Sequence, residues 1–381
     1  MSAARGRVRI PRELHPVAWW CWAVGLGAAA SMTTNPLLLA LLVASAWLVV
    51  VACRSDQPWS GAFRLYLWVG LAVVVIRVLF RVVLGGVPDG HVLLSLPEVP
   101  LPSFAAGITL LGPVTREALL AGLYDGMRLA ALLICVGAAN ALANPKRLMK
   151  SMPPALYEIG TSLVVAITVL PQLVDSTRRV RAAQQLRGGP GGRVRGLRRL
   201  LVPILEDALD RSLAMAAGMD ARGYGRTGGL TAARRRGTGA LMLVGLIGIC
   251  VGAYAVLDGT APRYLAGPML GLGVALAVLG LVSAGRRVER TRYRPDPWRA
   301  PEAAAILSGL LVALGTWYVG RTDQRVAHPG VVDAPTVSLI ALAVVLLALV
   351  PALTSPPPLT AASREPDPAP VEDPVAERTA A

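Results

Sequence analysis

Apolar runs of nearly bilayer-spanning length recur along the chain and predict a helical membrane protein. A membrane helix needs about 17–25 apolar residues. We predict spans at residues 17–30, 37–52, 63–84, 115–143, 240–257, 264–284, 303–319 and 336–350. The pattern therefore predicts an all-α, polytopic fold of about eight spans, with both termini in the cytoplasm.

Residues 154–224 interrupt this pattern, because they are polar at intervals and very basic. Apolar side chains recur there at steps of three and four residues, as they do on one face of a helix. In the first predicted helix they are Ile159, Leu163, Ile167, Leu170 and Val174; in the second they are Leu197, Leu200, Leu201, Ile204, Leu205, Ala208 and Leu209. The pattern predicts two amphipathic helices, joined by a Gly-rich turn at 188–196.

Charge places this region in the cytoplasm. Residues 175–236 hold fourteen arginines against five acidic residues, and cytoplasmic loops are enriched in basic residues. If the apolar run 155–170 crossed the bilayer, that block would face outward. We therefore expect this run to lie in the interface as part of an amphipathic helix.

The same reasoning divides the chain into four parts. We predict an N-terminal membrane domain at 1–144, a cytoplasmic helical region at 145–236, C-terminal spans at 237–353 and a tail at 354–381. The tail is rich in proline and acidic residues and is expected to be disordered.

Composition supports a protein of the plasma membrane. The chain is 54% hydrophobic and 16% charged, whereas soluble domains carry about a quarter charged residues. Its net charge of +15 is explained by the enrichment of basic residues in the cytoplasmic loops of a protein that lies in the lipid bilayer. No nucleic-acid partner is therefore expected.

Several sequence signatures of enzymes are missing. A phosphate-binding loop needs a lysine after a glycine-rich turn, but the only lysines are Lys146 and Lys150, which follow Pro145 and Met149. The nucleophile elbow of hydrolases and the zinc-binding His-Glu-x-x-His motif are also missing. We expect no ATPase activity of the phosphate-loop type, no directly bound cofactor and no metal.

Both predicted amphipathic helices end in Arg-Gly. The pairs are Arg187-Gly188 and, after Ala221, Arg222-Gly223. Glycine is the favoured left-handed residue after a helix, and a cation near the C-terminal end is stabilised by the helix dipole. An arginine held there can bind a partner's carboxylate with two hydrogen bonds. The alternative is an ordinary helix end with a solvated arginine.

Charged residues also occur within predicted spans. Arg77 and Arg81 lie in the third span, and Asp125 and Arg128 lie in the fourth. Asp125 and Arg128 are three residues apart, so they share a helix face and can pair. Because charges in a bilayer are costly, Arg77, Asp125 and Arg128 form a candidate intramembrane polar site. Alternatively, the long side chains of Arg77 and Arg81 extend to the outer membrane–water interface.

Two short signatures resemble a known family. They are Met-Asp-Ala-Arg-Gly-Tyr at 219–224 and Ala-Gln-Gln-Leu-Arg-Gly at 183–188, where Leu186 replaces the usual Ala. Together with Arg128, they resemble the transmembrane T component of energy-coupling factor transporters, a family that includes the cobalt-transport Q subunit. The resemblance covers roughly residues 15–257, and the three later spans exceed the usual family core.

The resemblance implies a mechanism. Two cytoplasmic ATP-binding-cassette ATPases would dock on the ends of the coupling helices, one at Arg187 and one at Arg222. ATP would bind to these partners, and the helices would carry their movement to a membrane S component that binds a vitamin or a transition metal such as cobalt.

Two other functions remain open from the sequence. The chain could be a self-contained permease or channel whose basic insert binds lipid. It could also be a membrane enzyme that uses Arg77, Asp125 and Arg128. Co-purification of ATPase subunits separates the coupling function from both alternatives.

Overall fold

The computed structural model describes residues 12–83, 90–97, 99–100, 109–151, 157–186, 193–223, 232–258, 262–285 and 296–358. Most of these residues are helical, as predicted. The helices are α1 (Pro16–Ser31), α2 (Pro36–Cys53), α3 (Phe63–Val83), α4 (Arg116–Leu142), α5 (Pro145–Lys150), α6 (Tyr157–Leu186), α7 (Arg193–Ala221), α8 (Ala232–Leu257), α9 (Arg263–Gly285), α10 (Ala300–Thr322), α11 (Gln324–Ala327), α12 (Leu339–Leu346) and α13 (Val350–Thr354). Short 3-10 helices occupy Pro58–Ala62 and Leu347–Leu349. The predicted polytopic helical fold is confirmed.

The candidate spans differ in detail from the eight predicted. Within the described residues, seven helical segments are long and apolar enough to cross a membrane; they lie in α2, α3, α4, α6, α8, α9 and α10. Helix α1 has 16 residues, and the last predicted span is divided between α12, a 3-10 turn and α13. We predicted that the run 155–170 lies in the interface, and its described residues form the first half of α6. The segment Ile159–Leu186 of this helix is long and apolar enough to be a candidate span.

Within the described residues, the segment between α3 and α4 contains four short strands. They are β1 (Val92–Ser95), β2 (Val99–Pro100), β3 (Thr109–Leu110) and β4 (Pro113–Thr115). Strand β1 pairs with β4 and β2 pairs with β3, both antiparallel. The valine and threonine residues of these strands favour this extended backbone.

The chain forms two compact units. The first combines residues Met1–Leu148 with Asp296–Ala381, and the second is Met149–Pro295. In the first unit, α1 packs against both α4 and α10, and α2 also packs against α4. Trp22, Leu26 and Val312 are fully buried in this core. Helix α10 therefore shares a core with the N-terminal helices, a grouping that cuts across the predicted C-terminal block 237–353.

Two glycines let α1 and α10 approach closely. A Cβ atom added to Gly25 would lie 2.3 Å from the carbonyl oxygen of Gly309, and one added to Gly309 would lie 2.7 Å from the Cα atom of Trp22. Small residues of this kind permit backbone contact between membrane helices.

The turn between α1 and α2 is bonded to segments near the end of the chain. The Thr33 hydroxyl donates to the carbonyl of Ala327 at 2.7 Å. The Asn35 amide donates to the carbonyls of Val326 and Thr336, each at 2.8 Å. Thr33 and Asn35 are fully buried, so these bonds satisfy polar groups that would otherwise be costly to bury.

The second unit contains two helix pairs, α6 with α7 and α8 with α9. Helices α8 and α9 touch through glycines: a Cβ atom on Gly248 would lie 2.9 Å from the Cα atom of Gly273. Helices α6 and α7 carry the predicted coupling residues.

Candidate functional site

Arg222 lies immediately beyond α7, where the helix ends. The N–H group of Arg222 donates to the carbonyl of Met219, and that of Gly223 donates to the carbonyl of Asp220 at 2.9 Å. Gly223 has a φ angle of 75°, so it is the predicted left-handed glycine. The Arg222 side chain is exposed. Ala221, Arg222 and Gly223 thus form the helix end that the sequence predicted.

The first predicted Arg-Gly tip follows α6. This helix ends at Leu186, whose side chain is 90% exposed. The described residues stop at Leu186, so the predicted Arg-Gly end of this helix stays a prediction. Arg187 and Gly188 themselves lie outside the described residues, and their role stays a prediction. Helix α7 begins at Arg193, so the second half of the predicted turn is helical.

A polar contact joins α6 to α7. Asp207 of α7 accepts a hydrogen bond from Arg211 at 3.0 Å and lies 3.6 Å from the guanidinium of Arg179 on α6. A hydrogen bond from Ser176, a buried residue of α6, and the bond from Arg211 hold the pKa of the Asp207 carboxyl below its ordinary value. Asp207 is therefore charged at neutral pH and ties the two helices together.

A groove of about 250 Å³ lies beside this contact. Its lining is mostly apolar: Val165, Val169, Gln172 and Leu173 from α6, and Ala208, Ser212, Met215, Ala216 and Met219 from α7. Met219 also accepts the hydrogen bond from Arg222. The groove therefore extends along α7 to the turn that carries the arginine.

The apolar faces predicted for these two helices are largely exposed. Ile159 and Leu170 on α6 are exposed, as are Leu205 and Leu209 on α7. The two helices face each other through other side chains, those that line the groove. These exposed apolar side chains are available to lipid or to a membrane partner.

The three residues of the predicted intramembrane polar site make separate contacts. Asp125 pairs with Arg81 of α3 at 3.4 Å, whereas Arg128 donates to the carbonyl of Ser31. Arg77 is exposed on α3. The predicted Asp125–Arg128 pair is thus replaced by contacts to two other helices. The last carbonyls of α1 lack helical donors, and this explains the position of Arg128.

A charged cluster that sequence reasoning missed joins distant parts of the first unit. Arg147 lies 3.2 Å from Glu13 and 3.2 Å from Asp296. Arg12 donates two hydrogen bonds to the fully buried Glu302, at 2.7 and 3.0 Å. Partners more than a hundred residues away leave no spacing signal in one sequence.

Comparison with known proteins identifies the family. Residues 7–231 match the model of CbiQ, described as a cobalt transport protein. The chain belongs to the CbiQ family. It is a transmembrane component of the energy-coupling factor type, as the two Arg-Gly signatures indicated, and a multi-pass protein of the plasma membrane.

Curated relatives of this CbiQ family member carry the name of the energy-coupling factor transmembrane protein EcfT. It is 28% identical over 198 residues to the energy-coupling factor transporter transmembrane protein EcfT of Leuconostoc gelidum subsp. gasicomitatum, covering 47% of this chain and 67% of the relative. It is 26% identical over 252 residues to EcfT of Bacillus selenitireducens, covering 62% of this chain and 86% of the relative. Within the described residues, no group of three or more His, Cys, Asp or Glu side chains could hold a metal ion.

Proposed function

We propose that this protein is the coupling subunit of an energy-coupling factor importer. It binds two ATP-binding-cassette ATPases through Arg187 and Arg222 and binds a substrate-carrying S component in the membrane. ATP resides on the ATPases, and this chain holds no cofactor itself. The cargo is a vitamin or a transition-metal ion such as cobalt.

The geometry of Arg222 carries this proposal. The left-handed Gly223 ends α7 immediately after the arginine, and the exposed guanidinium forms no ion pair within the described residues. A planar guanidinium presents five N–H donors and matches a carboxylate with two parallel hydrogen bonds. A helix end that presents one such group suits a docking contact on a soluble partner.

The contact between α6 and α7 supports transmission of movement. Asp207 joins the two helices through Ser176 and Arg179, and the groove residues pack beside it. A displacement of the α7 end therefore reaches α6. The exposed apolar side chains on both helices, among them Leu170 and Leu205, would pass the displacement to the S component.

Co-purification tests the proposal. The protein is produced together with ATP-binding-cassette ATPases of the same organism and isolated in mild detergent. We expect Arg222→Glu to reduce the retained ATPase at least about tenfold, because removing one partner of a buried charge pair costs about 2–5 kcal/mol. Arg222→Lys should retain an intermediate amount, since lysine keeps the charge but loses the two-pronged geometry.

The matched control is Arg199→Glu, an equal charge reversal at an exposed position of the same helix. It should leave the ATPases bound. If the double variant Arg187→Glu/Arg222→Glu retained them as well, docking at these arginines would be wrong. If the protein alone carried labelled cobalt or vitamins into vesicles, a self-contained permease would be the better description.

A further inference from the structure

An ion pair within the first unit joins the two residues near which the chain leaves and re-enters that unit. The chain leaves the first unit after Leu148 and returns at Asp296. Arg147, one residue before that departure, places its Nε and Nη2 atoms each 3.2 Å from the Asp296 carboxylate. One guanidinium–carboxylate contact thus links the two points of the first unit that flank the second unit in the sequence.

Arg147 also binds the segment that leads into α1. Its Nη1 atom donates to the carbonyls of Glu13 and Leu14, both at 3.3 Å, and lies 3.2 Å from the Glu13 carboxylate. Helix α1 begins two residues after Leu14. The same guanidinium therefore contacts both the start of the first helix and the point where the chain returns.

The returning segment is held to α1 by a second contact. Two residues beyond Asp296, the Trp298 ring stacks on the His15 ring with centroids 4.4 Å apart. Helix α10 begins shortly afterwards and packs on α1 through Gly25 and Gly309. A pull on the returning chain therefore acts on both helices.

Several bonds to one guanidinium favour a defined geometry. The Arg147 side chain is 23% exposed and that of Glu13 is 16% exposed, whereas that of Asp296 is 37% exposed. Isolated surface ion pairs contribute little because long side chains lose entropy when they are fixed. Arg147 instead makes several hydrogen bonds at once, and its planar group is already arranged for them.

We infer that Arg147 and Asp296 form a clamp that makes the two connections of the second unit move together. The clamp rests on the proposed function, since it would transfer the movement of α6 and α7 into α1 and α10. Without this ion pair, the chain segments that follow Leu148 and precede Asp296 could shift independently. The displacement of α6 and α7 would then not reach α1 and α10. Arg147 is accordingly a positioning residue for coupling.

Hydrogen–deuterium exchange of the assembly co-purified with its ATPases tests the clamp, with a non-hydrolysable ATP analogue as the probe. In the unaltered protein, the analogue should change exchange in α7 and in the first turns of α1 and α10. In Asp296→Asn, the change in α7 should persist, while that in α1 and α10 should fall about fivefold or more, the lower range of coupling effects. Asp296→Glu should restore it.

Glu13→Gln is the matched control. It removes one carboxylate from the same guanidinium but leaves the contact with Asp296 and the two carbonyls, so the exchange response in α1 and α10 should be kept.

Equal loss of that response in Glu13→Gln and Asp296→Asn, with equal loss of thermal stability, would reveal a merely structural cluster and overturn the clamp. An unchanged response in Asp296→Asn would overturn it too, while leaving ATPase docking intact. Failure of the ATPases to co-purify would overturn the proposed function first, and the clamp with it.

Discussion

At the scale of single residues, Gly223 fixes the point at which the chain leaves α7 and so the position of Arg222. Its φ angle of 75° is open to glycine but strained for residues with a side chain. An alanine there costs about 1–2 kcal/mol in the left-handed conformation. The chain can avoid that cost by changing the direction in which it leaves the helix, and the arginine would move with it.

We therefore expect Gly223→Ala to weaken ATPase retention while the protein stays folded. Co-purification and a thermal unfolding curve of each variant measure the two effects. Gly218→Ala is the control: Gly218 lies within α7, and a Cβ atom there would meet nothing within 4 Å. Alanine should stabilise that helix slightly, because its helix propensity is higher than that of glycine. Equal retention in the two variants would contradict a role for the left-handed turn.

Gly25 gives a second prediction at this scale. Its Cβ position lies 2.3 Å from the carbonyl oxygen of Gly309, a backbone atom that cannot turn aside. Gly25→Ala should lower stability by about 1–3 kcal/mol or more, the cost of overpacking a core. Thermal unfolding in detergent measures this. Gly27→Ala should have little effect, because its nearest neighbour would be a Leu132 side-chain atom at 3.7 Å.

At the scale of elements, the start of α1 depends on a neutral histidine. His15 is the N-cap of α1: its Nδ1 atom accepts a hydrogen bond from the N–H group of Val17 at 3.3 Å. Burial is the main cause that places the pKa of His15 below its ordinary value of 6.5. Protonation would remove the accepting lone pair and set a cation at the positive end of the helix dipole.

The sign of the pH effect follows from this lowered pKa. The folded state binds fewer protons than the unfolded state, so stability is fully present above pH 6.5 and is lost as the pH falls below it. We expect a lower unfolding temperature at about pH 5.5 than at about pH 7.5. His15→Asn keeps an oxygen acceptor at the N-cap and does not titrate, so its difference between the two pH values should be smaller. An unchanged difference would show that other groups cause the effect.

Some element boundaries could be predicted from the sequence because their causes are local. Helical periodicity and the second Arg-Gly pair placed the end of α7 at Ala221, where the structure has it. The Asp125–Arg128 prediction failed because periodicity describes one helix, whereas Asp125 finds its partner, Arg81, on a neighbouring helix.

Contacts between distant helices could not be predicted in the same way. The glycine contact between α1 and α10 and the pair Arg147–Asp296 join residues far apart in sequence. Each of these residues has an ordinary local context. Only the packing of the folded chain selects their partners, so one sequence without its fold does not specify them.

At the scale of the whole molecule, the last helices beyond the usual family core, α10 to α13, are part of the first unit. Helix α10 packs against α1, and α12 packs against α2 and α10. The Trp22 indole donates to the carbonyl of Ala348 at 3.2 Å, and both residues are fully buried. These helices complete the core in which the N-terminal helices lie.

Truncation tests this arrangement. Removal of residues 296–381 would expose side chains that are buried against these helices, such as Trp22. We therefore expect the shortened protein to aggregate or to be degraded. Removal of 359–381 alone should leave the unfolding temperature and the yield unchanged, because a segment this rich in proline and acidic residues is not expected to join a packed core. Size-exclusion chromatography in detergent distinguishes the two. A monodisperse, stable product of the larger deletion would show that the C-terminal helices are an independent addition.

The bonds between the first turn and the end of the chain also set an order of events during synthesis. Asn35 finds its acceptor at Val326, 291 residues later. At roughly 5–20 residues per second, a ribosome needs about 15–60 s to make that stretch. During this interval the α1–α2 turn has no acceptor from α11 or Thr336. The α1–α2 hairpin, although synthesised long before α11, is therefore among the last parts of the first unit to reach its final structure.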